Sequence, residues 1–223
     1  ESWRAAVQPN TKAFFGESLP NPQGDVLDIE AISAVAHEAG VPLIVDNTVA
    51  TPYLVQPLKW GADIVVHSAT KYLGGHGTAL GGVIVDGGTF DFSADPERFP
   101  GFNTHDPSYN GLVYSRDIGA AAFIIKARVQ LLRDLGAAIA PFNAFLLAQG
   151  IETLSLRMER HVENAVKVAK YLENHPDVLS VTYSGLESSP YYPLAQKYSP
   201  KGASAIVSFE VAGGVEAGRQ FVS

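Results

Sequence analysis

The chain has 223 residues, 46% hydrophobic and 17% charged, with a formal net charge of −7; this is globular composition, long enough for a sizeable core. No basic block points to nucleic acid, and no run of 18 apolar residues points to a membrane span. There is no cysteine, which excludes disulfides, thiolate metal ligands and a catalytic thiol, and fits a reducing compartment such as the cytoplasm.

The first two-thirds of the chain alternate strand and helix signals. Lys12–Gly16 reads as a short buried strand, followed by the loop "ESLPNPQGDV" with Pro20, Pro22 and Gly24 as breakers. Asp28 is placed to cap a helix running to Gly40, because Ile29, Ile32, Val35, Ala36 and Ala39 recur at helical spacing. Val41–Val45 is a continuous apolar run, as expected of a parallel strand covered on both faces. Ile64–Val66 and Gly82–Val85 are two more apolar strands. Strand-helix-strand repetition predicts an α/β fold with a mainly parallel sheet.

A long irregular stretch follows, "DGGTFDFSADPERFPGFNTHDPSYNGLVYS". Its aromatic residues argue against disorder. Next, Asp117–Leu135 is predicted as an amphipathic helix, and Pro141–Gln149, apolar nearly throughout, as a buried one. Ile151–Asn174 carries Leu154, Met158, Val162, Ala165, Ala169 and Leu172 on one stripe. From Val178 the period changes to two, and "VLSVTY" and "AIVSFEV" predict a half-exposed antiparallel pair. The domain change is expected in the long helix, giving one domain over residues 1–150 and a second, smaller α+β one over 151–223.

Ligands of parallel α/β sheets bind beyond the carboxyl ends of the strands. Three polar clusters fall there: Glu17-Ser18 with Asn21, Asp46-Asn47-Thr48, and His67-Ser68-Ala69-Thr70-Lys71. Lys71 reads either as a loop lysine with a solvated head or as a Schiff-base lysine, since a lysine held near apolar walls and a fixed cation becomes a nucleophilic amine. Ser68 and Thr70 offer hydroxyls for a phosphate. A phosphate beside an amine suggests a phosphorylated aldehyde, and the nucleotide-binding order GxxxxGK[ST] is absent because the glycines follow the lysine. Asp46 reads either as a turn carboxylate or as the partner of a buried cation, such as the protonated ring nitrogen of pyridoxal phosphate. Asn21 reads either as a turn residue before Pro22 or as a donor to that cofactor's phenolic oxygen. His67, His76 and His161 show no metal-ligand spacing, so no metal is expected.

With these residues assembled, the chain resembles the Cys/Met-metabolism family of pyridoxal-phosphate enzymes, which have the aspartate-aminotransferase-like fold. The resemblance rests on "ESLPNP", "VDNTVATP", "GADIVVHSATKYLGGHG", "GGVIVD" and "NAFLLAQGIETLSLRMERH", in family order over most of the chain. It implies that Lys71 is both catalytic and bonded to pyridoxal 5'-phosphate, that Asp46 faces the pyridine nitrogen, that Ser68 and Thr70 hold the phosphate, and that Asn21 sits near the phenolic oxygen.

The loop containing "FPGF" and "DPSYNGLVY" is similar to the insertion of the O-acetylhomoserine sulfhydrylase branch, with a departure at Asn110, where that branch often carries His. The activity this implies is γ-replacement on O-acetylhomoserine by sulfide or a small thiol, giving homocysteine or methionine. Cystathionine γ-synthase or a β- or γ-lyase remains open on the same scaffold, as does a phosphate-binding module without catalysis. The resemblance further implies a homotetramer of dimers. It also implies that the ring-stacking tyrosine and the substrate-carboxylate arginine lie outside these residues. Arg157 and Arg160 read as surface or interdomain residues.

Overall fold

Hydrophobic β-branched runs flanked by loop breakers settle as adjacent strands, where Leu43, Val45, Ile64 and Val65 are buried. Each such side chain contributes about 1.5–3 kcal/mol when fully buried. The structure, a computed structural model, describes residues 1–223. Strands β1 (Phe14–Glu17), β2 (Leu43–Asp46), β3 (Ile64–Ser68) and β4 (Gly82–Asp86) form one sheet in the order β1-β2-β3-β4. The pairs β1–β2 and β2–β3 are parallel, and β4 runs antiparallel to β3. The register sets Glu17 beside Asp46 and Asp46 beside Val66, so the carboxyl ends of the three parallel strands share one edge. This is the predicted α/β sheet, with its strand ends one to two residues later than the sequence suggests.

Between β1 and β2 the helix Ile29–Glu38 crosses over, capped by the Asp28 carboxylate, which accepts from the Ala31 N–H. It buries Ile29, Ser33 and Ala36. The long helix Leu154–Glu173 buries Leu154, Met158, Val162, Ala165 and Ala169, steps of three and four residues that keep one face inward. Beyond it, β5 (Val178–Thr182) and β6 (Ser208–Val211) form the expected antiparallel pair, with Val181 opposite Phe209.

Two expectations give way. Asp117–Leu135 is no single helix: it breaks into short α, 3-10 and π turns between Tyr114 and Leu135. Gly119 at φ +67° sits in the left-handed region at the break. Pro141–Gln149 is helical as part of Pro141–Glu152, yet Phe142 and Phe145 are 68% and 55% exposed, and it buries only Leu147 and Gly150. A helix apolar all round has no preferred face, so tertiary contact alone selects which side is covered. No helix is long and apolar enough to cross a membrane.

Candidate active site

The strand ends open into a cavity of about 680 Å³. Asn21, Asp46, Ser68, Thr70 and Lys71 all line it, although they come from three separate loops. Their convergence follows from the parallel register: strands pointing the same way deliver their following loops to the same edge.

Lys71 follows a tight turn in which its N–H donates to the Ser68 carbonyl at 3.2 Å and its own carbonyl accepts from Gly75 at 2.8 Å. Its amine has neither a hydrogen bond nor an ion pair within the chain and is exposed to the cavity. Asp46 accepts from the Thr48 N–H at 2.9 Å through Oδ1, which leaves Oδ2 for a ligand. Thr48 in turn accepts the Ser68 N–H at 2.7 Å and so ties the ends of β2 and β3 together. One position behind, buried Asn47 accepts from Ser18 Oγ at 2.7 Å and donates to the Val55 carbonyl at 2.9 Å. The middle cluster therefore divides its labour by strand alternation: Asp46 and Thr48 face the cavity, and Asn47 braces the scaffold.

The two hydroxyls predicted for phosphate differ. Ser68 Oγ has no partner in the chain. Thr70 Oγ1 is held by the backbone of Gly81, donating to its carbonyl at 3.2 Å and accepting its N–H at 3.1 Å. Thr70 thus pins the start of β4 to the lysine loop, and it reaches a phosphate only by turning its proton away from Gly81. His67 points to the other face of β3, buried, with Nδ1 unpartnered. Burial pushes its imidazole below the ordinary histidine value.

Tyr72, Arg157 and His161 are among the lining residues that lay outside the predicted strand-end clusters. Tyr72 packs against His161, ring centroids 5.3 Å apart, and Arg157 reaches the cavity from the same face of the long helix. Arg160 stays exposed and pairs with Glu163, as expected of a surface residue. The available signal for Arg157 and His161 was their i, i+4 spacing beside the buried stripe. At the opposite end of the sheet, buried Asp63 holds His37 Nε2 at 2.8 Å, the Leu43 N–H at 2.8 Å and the Thr89 hydroxyl at 3.1 Å. Those three bonds account for its carboxylate as a structural tie.

An unpaired amine, a carboxylate oxygen without a partner and a free hydroxyl on one cavity wall fit pyridoxal phosphate, whose aldehyde, ring nitrogen and phosphate need those three groups. Fold and cavity together define an α/β sheet whose strand ends bring a lysine and its polar neighbours to one cavity. The model of the Cys/Met metabolism PLP-dependent enzyme family matches residues 1–223, and the chain belongs to that family.

The chain is 53% identical to an O-acetyl-L-homoserine sulfhydrylase of Corynebacterium glutamicum over 225 residues, covering 100% of this chain and 51% of that protein. Among solved structures it is similar to an O-acetylhomoserine (thiol)-lyase of Campylobacter jejuni that contains N'-pyridoxyl-lysine-5'-monophosphate. That match has a TM-score of 0.87 and 46% identity, and covers 94% of this chain and 52% of the other. It is also similar to a cystathionine gamma-lyase of Lactobacillus plantarum, with a TM-score of 0.75 and 33% identity, covering 95% and 46%. The chain spans about half the length of the curated relatives it matches.

Proposed function

We propose that this chain forms the lysine-bearing part of an enzyme that replaces the γ-substituent of O-acetylhomoserine with sulfide or a small thiol, releasing acetate and giving homocysteine or methionine. The observation that carries the reading is the convergence of Asn21, Asp46, Ser68, Thr70 and Lys71 on one cavity with the Lys71 amine unpaired. The choice of reaction is supported by the higher identity to the sulfhydrylase than to the cystathionine lyase and by the segment Phe99–Tyr114.

Pyridoxal phosphate, when bound, supplies an electron sink for the substrate carbon that loses its proton. Lys71 Nζ would be the atom that holds the cofactor, at its aldehyde carbon, and as a free amine it would accept the substrate's α-proton and return it along the substrate carbons, so one nitrogen would serve as nucleophile and as general base. Asp46 Oδ2 would supply the negative charge for the ring nitrogen, Ser68 Oγ would hold the phosphate with Thr70 beside it, and Asn21 would stand near the phenolic oxygen. Thr48 contributes indirectly, by holding the Asp46 and Ser68 backbones in register.

The boundary near residue 151 belongs to the same proposal. It is supported by two separate sheets, one on each side of the long helix. A cytoplasmic homotetramer of dimers also belongs to it. Support for an interface comes from the exposed apolar residues Leu135, Phe142 and Phe145; light scattering of the full-length protein tests it. The activity is tested by giving purified full-length protein O-acetylhomoserine with sulfide, and cystathionine alone in parallel. Homocysteine from the first mixture and none from the second is the expected result. Turnover of cystathionine alone would assign the lyase reaction instead.

A further inference from the structure

Arg157 is the one cation on the cavity wall besides Lys71, and it is bound in an unusual way. No carboxylate stands beside it. Its Nη1 donates to the Tyr72 carbonyl at 2.8 Å, and its Nη2 donates to Leu73 at 3.3 Å and to Gly150 at 2.7 Å. Its Nε donates to Thr153 Oγ1 at 3.1 Å. The planar fork thus collects carbonyls from the two residues that follow Lys71 and from the end of the helix Pro141–Glu152. A guanidinium can do this because its donors lie in fixed directions in one plane; an ammonium cannot reach the same set.

The same junction is packed backbone against backbone. A Cβ on Gly150 would overlap the Gly74 carbonyl, and a Cβ on Gly74 would lie 2.7 Å from Leu147 Cδ2. Gly75, at φ +75°, has Arg157 pressed where its side chain would be. The lysine loop is therefore held from below by two glycines and from the side by Arg157, and nothing else in the chain binds the carbonyls of Tyr72 and Leu73 through a side chain.

We propose that Arg157 is a positioning residue for Lys71: by fixing the Tyr72 and Leu73 carbonyls against the end of the preceding helix, it sets the direction in which the Lys71 amine leaves the backbone. The inference rests on the reading of Lys71 as the cofactor-bonding lysine. It extends the active site to the helix that begins the second unit, so that a shift of this helix moves the lysine loop with it.

The test uses full-length apoenzyme of wild type, Arg157→Lys, Arg157→Ala and, as control, Arg160→Ala. Each is mixed with pyridoxal phosphate, and the absorbance of the lysine–cofactor bond is followed in a stopped-flow instrument. Amide exchange over residues 71–75 is measured on the same apoenzymes. Both Arg157 variants are expected to form the bond about ten- to a hundredfold more slowly, the scale of a misplaced reacting group, with faster exchange in the loop. Arg160→Ala should match wild type. Arg157→Lys keeps the charge and a good helix former, so it carries the test if Arg157→Ala folds poorly.

Full rescue by Arg157→Lys would show that charge alone matters and would overturn the inference. Unchanged bond formation in Arg157→Ala would overturn it as well, while leaving the Lys71 reading intact. A wild-type protein that forms no such bond would sink the Lys71 reading and this inference with it.

Discussion

The lysine loop, residues 68–82, and the aromatic segment, residues 87–115, both follow strands of the same sheet, and both are irregular. They treat their polar groups in opposite ways. The aromatic segment closes on itself. Asp106 accepts from the Ser108 N–H at 2.8 Å, the Ser108 hydroxyl and the Tyr114 hydroxyl both at 2.6 Å. Asn103 donates to the Phe92 and Phe99 carbonyls and accepts from Ser115. Phe92 stacks on Phe102 with centroids 4.1 Å apart and meets Phe90 and Phe99 edge to face. Lys126 lies 4.5 Å from the Tyr114 ring centre.

The lysine loop instead leaves the Lys71 amine and the Ser68 hydroxyl free. An irregular segment that holds a structure pairs its donors internally; one that serves a ligand keeps some unpaired over a rigid base. None of the residues of the aromatic segment lines the cavity around Lys71.

The contrast can be broken first at Lys71. Lys71→Ala is expected to abolish the lysine–cofactor absorbance and to lower turnover more than about 10³-fold, with melting temperature little changed; retained turnover would refute the assignment. Asp46→Ala should lower the rate by about two powers of ten and loosen the cofactor, measured by kcat and by loss of bound cofactor on dialysis. Near-normal kinetics would count against its charge role. Ser68→Ala should weaken cofactor affinity about tenfold or somewhat more, the scale of a hydrogen bond to a charged group. In a titration, Thr70→Ser should bind nearly as tightly as wild type, since its hydroxyl keeps the Gly81 bonds.

Stability changes sharpen the other half of the comparison. Gly150→Ala forces apart two backbones that touch, and is expected to cost about 1–3 kcal/mol in denaturant unfolding and to slow lysine–cofactor bond formation as well. An unchanged midpoint would show that the contact relaxes freely. Tyr114→Phe should lower the melting temperature by a few degrees without altering the lysine–cofactor absorbance, because it removes a bond that belongs to the aromatic segment alone.

The pH response follows from Asp106. The Ser108 and Tyr114 hydroxyls hold its carboxyl down at about 2. A carboxyl depressed in the folded state binds protons more readily when unfolded, so its stabilisation is present above about pH 4 and is lost as the pH falls toward 2. In Tyr114→Phe the folded carboxyl lies closer to its unfolded value, so the acid loss should be smaller and should end at higher pH. An acid limb identical to wild type would place the effect elsewhere.

Much of the site is legible in the residues themselves. Alternation and apolar runs locate the strands, parallel strands put their following loops at one edge, and the identities at those ends suggest the chemistry proposed for Lys71, Asp46 and Ser68. These are local properties, carried by periodicity and side-chain type. What the sequence left unstated depends on partners far away along the chain. Arg157 reads as a surface or interdomain residue, and the sequence could not choose between the two because the carbonyls it holds are 84 and 85 residues distant. Thr70 looks equivalent to Ser68 until the antiparallel return of β4 brings Gly81 to its hydroxyl. The helix Pro141–Glu152 has no polar side to betray which face is outward, so the fit of Gly150 against Gly74 decided it. The sequence by itself determined which polar groups would stand at the strand ends; only the tertiary structure decided which of them stay free, because freedom depends on every neighbour a polar atom could bond instead.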